Sequence, residues 1–174
     1  MQRVYHFLAV LFISVFVNAQ VFNQAIADEI QKVDSVINLL INYENIGPKP
    51  TGSPALVETL EWIVENYKDY GYVPIIDTFN LGSIESYNII IEKQGSIPNQ
   101  WIIIGAHYDS VEESPGANDN GTGVISTLQI ARLINDLNPR IGVRIINFGA
   151  EEQGFIGSSH YVRNTLPSTD SILL

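Results

Sequence analysis

The sequence contains no cysteine among its 174 residues. Disulfide bonds, thiolate zinc sites and cysteine nucleophiles are therefore excluded for this chain. Basic residues are also few, because 9 Lys and Arg stand against 19 Asp and Glu, which gives a formal net charge of -10. Nucleic-acid binding depends largely on clustered basic side chains, so we expect no nucleic-acid partner.

Several common catalytic motifs are missing as well. The sequence has neither a G-x-S-x-G nucleophile elbow nor a G-x-x-x-x-G-K-[ST] phosphate loop. Gly121-Thr122-Gly123 is followed by Ser126 where a dinucleotide fingerprint would place its third glycine. The zinc deaminase pattern requires cysteines that this chain lacks.

The amino terminus differs from the rest of the chain. After Arg3, residues 7–17 read FLAVLFISVFV without a charge, and this run is too short to span a bilayer comfortably. Val17-Asn18-Ala19 then places small or modest residues where a signal peptidase reads them. We therefore predict a cleaved signal peptide at residues 1–19 and a secreted or periplasmic product with no stable membrane span. An uncleaved anchor or a buried helix is the alternative.

The remaining chain alternates between helical and strand periodicity. Apolar residues at helical spacing predict a first helix, which ends in the Gly- and Pro-containing loop Asn45–Gly52. Ser53-Pro54 is typical of a helix start, and Gly71 ends the second helix. The apolar stripe of the first helix consists of Ile26, Ile30, Val33, Ile37 and Ile41. β-Branched and aromatic runs predict strands at residues 72–79, 86–91, 101–104 and 143–148.

The order of these elements predicts the fold class. A helical pattern from Gly123 to Leu137 separates the last two strands and makes a β-α-β unit, whose strands should be parallel. We expect residues 20–174 to form an α/β domain, a three-layer sandwich with a central mixed, largely parallel sheet that is truncated at its C-terminal side. In such a sheet the strand at residues 143–148 would lack a later neighbour and expose an edge.

Polar and charged residues follow the ends of three predicted elements, in the segments GAHYDS (105–110), GANDNGTG (116–123) and GAEEQG (149–154). Ligands usually bind at such strand ends in open α/β sheets. If strand geometry continues past Ile104, His107 and Asp109 project to the same side. Asp109 can then hold one ring N–H of His107 and leave the other nitrogen free for a metal.

The three segments together indicate a zinc site. A dinuclear site needs anionic oxygens, neutral imidazole and one carboxylate that bridges the ions. Asp119, in its glycine-rich loop, is the bridging candidate. Consecutive residues leaving a strand point in different directions, so one of Glu151 and Glu152 can bind zinc while the other accepts a proton from the attacking water. We expect His160 to be an exposed or partly packed helix residue and not a ligand.

The strings GAHYDSV, PGANDNGTG and NFGAEEQGFIGS closely resemble the secreted dinuclear zinc aminopeptidases related to bacterial leucyl aminopeptidase and to glutamate carboxypeptidase. The resemblance runs from about Lys49 to about Val162 and includes PTGSP. It implies a zinc metallopeptidase that hydrolyses amino-terminal peptide bonds of peptides or proteins through a metal-activated water. The implied roles are zinc binding by His107 and Glu152, bridging of two Zn²⁺ by Asp119, general base for Glu151 and support of His107 by Asp109.

The resemblance also implies a further carboxylate and a further histidine downstream, and this sequence ends at Leu174 without them. Each ion would keep two protein ligands, whereas zinc sites normally supply three or four. We therefore expect the 174-residue chain alone to be weakly metallated, poorly stable and nearly inactive.

Two other functions stay open. One is a non-catalytic secreted binding domain that keeps the fold and part of the site. The other is a glutaminyl cyclase, which the same fold supports, although the loop from Asn118 to Gly121 looks more like the peptidase version.

Overall fold

A computed structural model of the chain describes residues 27–28 and 33–173. The predicted signal peptide lies outside this part. None of the helices within it is long and apolar enough to cross a bilayer. The α-helices are α1 (Val33–Asn45), α2 (Pro54–Asp69), α3 (Thr122–Ile134) and α4 (Ile156–His160), and a wider helical turn at Tyr161–Thr165 continues α4. The strands are β1 (Ile75–Leu81), β2 (Ile84–Lys93), β3 (Gln100–His107), β4 (Gly142–Phe148) and β5 (Ser171–Ile172).

The limits of α2 follow from local sequence. The Ser53 side chain accepts a hydrogen bond from the Leu56 N–H at 3.1 Å, and Pro54 occupies the first turn, where its missing N–H costs nothing. Gly71 follows the helix with a φ of 87°, a left-handed conformation that glycine adopts without strain. Both predicted ends of this helix are confirmed.

The sheet has the strand order β1-β2-β4-β3-β5. The β3 and β4 strands are parallel neighbours joined through α3, so the predicted β-α-β unit is confirmed. The β1–β2 and β2–β4 pairs are antiparallel, and β5 pairs with β3 in parallel at Gln100 and Trp101. The sheet is therefore mixed, as expected.

The prediction that β4 exposes an edge is wrong. The strand lies between β2 and β3, and both of its edges are hydrogen-bonded to a neighbouring strand. The periodicity of a strand reports which residues are buried but does not report its neighbours, and here the β1–β2 hairpin returns to cover the free side of β4.

Side chains from the two faces of the sheet enter two separate layers. Ile89, Ile91 and Ile145 point to the larger core, which α1, α2 and α3 cover. Ile90 and Ile146 point to the opposite face, where Tyr161 packs on them. This alternation is the period of two that a pleated strand imposes, and it confirms the three-layer arrangement.

The apolar stripe expected on the first helix is not its buried face. Ile37 and Ile41 are 51% and 45% exposed, whereas Tyr43 is fully buried in the core. Ile26 and Ile30 of the predicted stripe lie outside the described residues. The error arises because α1 carries isoleucine and leucine on more than one side, so spacing alone does not select the face that packs. The residues of α1 packed against the core are Val36, Leu39, Leu40 and Tyr43.

Candidate metal centre

The β3 and β4 strands end side by side. In the parallel ladder His107 is paired with Phe148, so the segments that follow both strands leave the sheet at one edge. Strand geometry extends past the predicted end at Ile104 to His107, and Asp109 lies two residues beyond. Glu151 and Glu152 follow the end of β4 after Gly149 and Ala150.

Asp109 connects these two segments. Its side chain is fully buried, and its carboxylate accepts the backbone N–H of Glu151 on one oxygen and that of Glu152 on the other, each at 3.1 Å. A buried carboxylate needs such donors because it has lost its hydration. The same carboxylate lies 3.5 Å from the Nδ1 of His107. Asp109 therefore fixes His107 and the Glu151–Glu152 backbone relative to each other.

The His107 ring lies between acceptors on both sides. Its Nδ1 is 3.2 Å from the backbone carbonyl oxygen of Asp109, and its Nε2 is 3.0 Å from a carboxylate oxygen of Asp119. Glu151 approaches the same Nε2 at 3.8 Å. The side chain is 10% exposed, so these contacts replace most of its hydration.

The electrostatics of this arrangement favour a positive charge. Burial lowers the pKa of His107, but the hydrogen bond and charge of Asp109, the charge of Glu151 and the hydrogen bond to Asp119 outweigh it and raise the pKa to about 9. Burial and the neighbouring Asp119 carboxylate raise the pKa of Glu152. Crowded carboxylates around an imidazole are stabilised by a cation, either a proton or a metal ion.

Three side chains bring ligand atoms together. One atom from each of His107, Glu151 and Glu152 lies within 4.8 Å of the other two. Asp119 does not belong to this group of three, and its side chain is 79% exposed, but its carboxylate contacts His107 directly. Imidazole nitrogen and carboxylate oxygen are zinc ligands, so the donor set fits a zinc ion.

The loop that carries Asp119 leads into the amino-terminal end of α3. It forms a tight turn from Ala117 to Gly121, and the Gly121 N–H donates to the carbonyl oxygen of Gly116 at 2.8 Å. The Asn120 side chain accepts a hydrogen bond from the N–H of Gly123 at 3.2 Å. The turn directs Asp119 towards His107, across the end of β3.

Two buried residues lie behind this loop that the sequence did not predict as neighbours of the site. Tyr43 is fully buried and donates its hydroxyl to the Tyr108 carbonyl oxygen at 3.0 Å, and Lys49 is also fully buried. Burial raises the pKa of Tyr43, and the charges of Asp109 and Asp119 raise it further. The position of Lys49 in an exposed-looking Gly- and Pro-containing loop gave no signal of burial.

His160 lies elsewhere, as expected. Its Nε2 is 3.2 Å from Asp77 on β1, and its ring stacks on Phe79 with the centroids 5.2 Å apart. With a side-chain exposure of 22%, it is a partly packed residue that attaches α4 to the sheet.

Comparison with known proteins gives a family match for the part of the chain that carries these residues. Residues 88–174 match the family described as Peptidase family M28. An aminopeptidase from Pseudomonas aeruginosa is 46% identical over 83 residues, which are 48% of this chain and 16% of that protein. The chain spans between 16% and 30% of the length of such curated relatives.

Solved structures share the fold. A zinc aminopeptidase from Bacillus subtilis superposes with a TM-score of 0.71 at 18% identity, over 82% of this chain and 66% of that one. A glutaminyl cyclase from Porphyromonas gingivalis superposes with a TM-score of 0.71 at 22% identity, over 80% of this chain and 55% of that one. At these identities the likeness extends to the fold and does not select between the two activities.

Proposed function

Because this chain belongs to peptidase family M28, we propose that it forms the zinc-binding part of an aminopeptidase that hydrolyses amino-terminal peptide bonds. The observation that carries the proposal is the convergence of His107, Glu151 and Glu152 ligand atoms within 4.8 Å at the ends of two adjacent parallel strands. The aminopeptidases among its sequence relatives support the reaction class.

We assign zinc binding to His107, Asp119 and Glu152. The Nε2 of His107 faces Asp119 at 3.0 Å, so a cation at this position would replace the proton that the ring now shares with the carboxylate. Asp119 is the most exposed of the three, so its outer carboxylate oxygen is accessible to a second ion. We therefore propose two zinc ions per complete site, with Asp119 as the bridging ligand.

Asp109 is a positioning residue in this scheme. It lies against Nδ1 of His107, which orients Nε2 towards the ligand side, and it accepts the N–H groups of Glu151 and Glu152. A carboxylate behind a metal-binding histidine fixes both ring orientation and tautomer.

Glu151 is the proposed general base. Its carboxylate belongs to the converging group of three, lies 3.8 Å from Nε2 of His107 and is 26% exposed, so water and substrate can reach it. Zinc, when bound, lowers the pKa of a coordinated water and stabilises negative charge on the substrate oxygen. Glu151 would take the proton of the attacking water and return it to the leaving amine.

The test uses the full-length protein, that is, these 174 residues together with any that follow them in the native protein. The variant is Glu151→Gln, and the matched control is Glu58→Gln on the exposed side of α2. We expect Glu151→Gln to keep its zinc content, measured by mass spectrometry of the metal, while hydrolysis of an aminoacyl anilide falls by about 10²- to 10⁴-fold. Glu58→Gln should match the unmodified protein in both measurements. Full hydrolysis by Glu151→Gln would contradict the base assignment.

The same preparation separates the alternatives. A non-catalytic binding domain would take up zinc without hydrolysing any amino-terminal substrate. A glutaminyl cyclase would convert a peptide with amino-terminal glutamine to its pyroglutamyl form and leave the peptide bonds intact, which mass spectrometry distinguishes from hydrolysis.

We also propose that the protein is secreted or periplasmic after cleavage behind Ala19. This proposal rests on the uncharged run at residues 7–17 and the residues that follow it. Amino-terminal sequencing of the native protein checks it, and a mature chain that begins before Gln20 would contradict it.

A further inference from the structure

Lys49 is a lysine with no exposed surface. It lies in the loop between α1 and α2, in contact with the segment that leads to Asp119. Lysine is almost never fully buried unless its charge is compensated, because an ammonium group loses strong hydration on burial. The proposed reaction assigns this residue no role, so its burial requires another explanation.

The ammonium group is surrounded by neutral acceptors. It donates to the carbonyl oxygen of Gly47 at 2.6 Å and to that of Pro115 at 2.9 Å, and it lies 4.0 Å above the centre of the Tyr43 ring. A lysine has three N–H donors, and two carbonyl oxygens with one aromatic face provide an acceptor for each. Lys49 thus joins the end of α1 and its own loop to the distant segment that contains Pro115.

The backbone of Lys49 makes a second connection. Its N–H donates to the side-chain oxygen of Ser110 at 2.9 Å, and its carbonyl oxygen accepts the Ser110 N–H at 3.1 Å. Ser110 directly follows the buried Asp109. Through Ser110 and Pro115, Lys49 therefore holds two points of the segment that leads from the end of β3 to the Asp119 turn.

Tyr43 completes the support on the far side of the turn. Its ring packs against Gly121, where a Cβ atom would lie 2.7 Å from Tyr43 Cε1. Gly121 in turn donates its N–H to Gly116, which follows Pro115. The residues before and after Asp119 are thus both attached to the Lys49–Tyr43 pair.

A purely packing role does not require the charge. Burial lowers the pKa of Lys49 to about 8, against the opposing effect of Glu44, so the fold keeps an ammonium group in an environment that disfavours it. Burying an ammonium group without a carboxylate partner costs free energy that an apolar side chain of similar volume would not cost. An ammonium group at this position is explained if its hydrogen bonds to Gly47 and Pro115 fix the position of the loop more exactly than apolar packing would.

We propose that Lys49 is a positioning residue, which holds the segment from Ser110 to Gly121 so that Asp119 lies against His107 in ligand geometry. The inference rests on the proposed function, because it takes Asp119 as a zinc ligand. It predicts that the positive charge at position 49, and not only its volume, determines how well the site binds metal.

The test uses the absence of cysteine. Among these 174 residues Lys49→Cys introduces a unique thiol, and any cysteine elsewhere in the full-length protein is first replaced by serine. Alkylation of the unfolded protein with 2-bromoethylamine restores an ammonium group on a side chain of lysine length, and alkylation with 1-bromopropane gives a neutral side chain with the same number of heavy atoms. Both forms of the full-length protein are refolded, checked by circular dichroism and titrated with Co²⁺, whose visible spectrum reports ligand geometry.

We expect the aminoethyl form to bind Co²⁺ as tightly as the unmodified protein, with the same spectrum. The propyl form should bind at least about tenfold more weakly, with an altered spectrum, since groups that orient metal ligands typically contribute 10- to 100-fold to affinity. Lys68→Met, which removes an exposed ammonium, is the matched control and should change neither measurement.

Equal Co²⁺ affinity and identical spectra for the two alkylated forms would overturn the role of Lys49. A propyl form that fails to refold while the aminoethyl form refolds would also overturn it, because the charge would then serve the whole fold. If neither refolds, Lys49→Met expressed directly replaces the propyl form, with the same two criteria. If the unmodified protein binds no Co²⁺, the proposed function itself fails.

Discussion

The carboxylate of Asp109 accepts the backbone N–H of Glu152 at 3.1 Å, although 43 residues separate them in the sequence. Its other oxygen accepts the N–H of Glu151. This pair of bonds joins the segment after β3 to the segment after β4, and it sets the spacing between the histidine and the two glutamates.

Replacing Asp109 by asparagine should destabilise the protein. An amide offers one acceptor oxygen, so one of the two backbone N–H groups of Glu151 and Glu152 would face an NH₂ group and stay unsatisfied. A buried unsatisfied donor costs about 1–3 kcal/mol, and we expect a loss of that size in the free energy of unfolding, measured by urea denaturation without metal. Asp69→Asn, at an exposed position, is the control. Equal stability of both variants would show that the two bonds contribute little.

Zinc affinity should rise with pH. The pKa of His107 is raised to about 9 in the metal-free protein, so below that pH the ring is mostly protonated and zinc must displace a proton. Between about pH 6 and about pH 8 the apparent association constant should increase about tenfold per unit, since one proton is released per ion. Competition with a chelator of known affinity measures it.

His160→Gln is the control for this pH dependence. His160 contacts Asp77 away from the site, so its removal should leave the slope unchanged. A zinc affinity that stays constant over the same pH range would contradict the assignment of His107 as a ligand.

Arg144 and Asp170 should be strongly coupled. Both side chains are 5% exposed and lie 2.8 Å apart, and the guanidinium also stacks on Trp101. Arg144→Met leaves the Asp170 carboxylate buried without its partner, which should cost about 3–5 kcal/mol. The double variant with Asp170→Leu should lose less than the sum of the single changes, as denaturation of all four proteins would show.

The exposed pair Lys68 and Glu65 gives the comparison for that cycle. Its atoms are 2.7 Å apart, as close as the buried pair, but the side chains are 55% and 66% exposed. Its coupling energy should stay below about 1 kcal/mol. A coupling of the same size for both pairs would mean that burial does not govern the strength of the Arg144 contact.

The start of α2 gives a local prediction. Ser53→Ala removes the acceptor for the Leu56 N–H and should lower the free energy of unfolding by about 1 kcal/mol. Ser83→Ala, in the exposed turn between β1 and β2, should have no comparable effect. Thermal unfolding of the two variants separates a capping role from a general effect of losing a hydroxyl group.

Local features of the fold were predictable because they depend on neighbouring residues. Ser53 and Gly71 marked the ends of α2, and the helical pattern between two strands predicted the parallel β3–β4 pair. The buried face of α1 was predicted wrongly, because Ile37 and Ile41 fit a helical stripe as well as the residues that pack. Periodicity identifies an apolar face but does not reveal the surface that covers it.

The site was predictable in its residue types and less so in its arrangement. Histidine and carboxylates directly after strand ends indicated metal chemistry, and the structure brings His107, Glu151 and Glu152 together. The two hydrogen bonds from Glu151 and Glu152 to Asp109 could not be read from the chain, because they join backbone groups to a side chain far away in sequence.

The sequence by itself determined the helix ends, the β-α-β unit and the residues available as ligands, because each follows from spacing and residue type within a short segment. Only the tertiary structure decided that β4 lies between β2 and β3, that Asp109 supports both sides of the site and that Lys49 is buried behind the Asp119 loop. Those outcomes depend on which distant surfaces exclude water from one another, and that is a property of the packed chain as a whole.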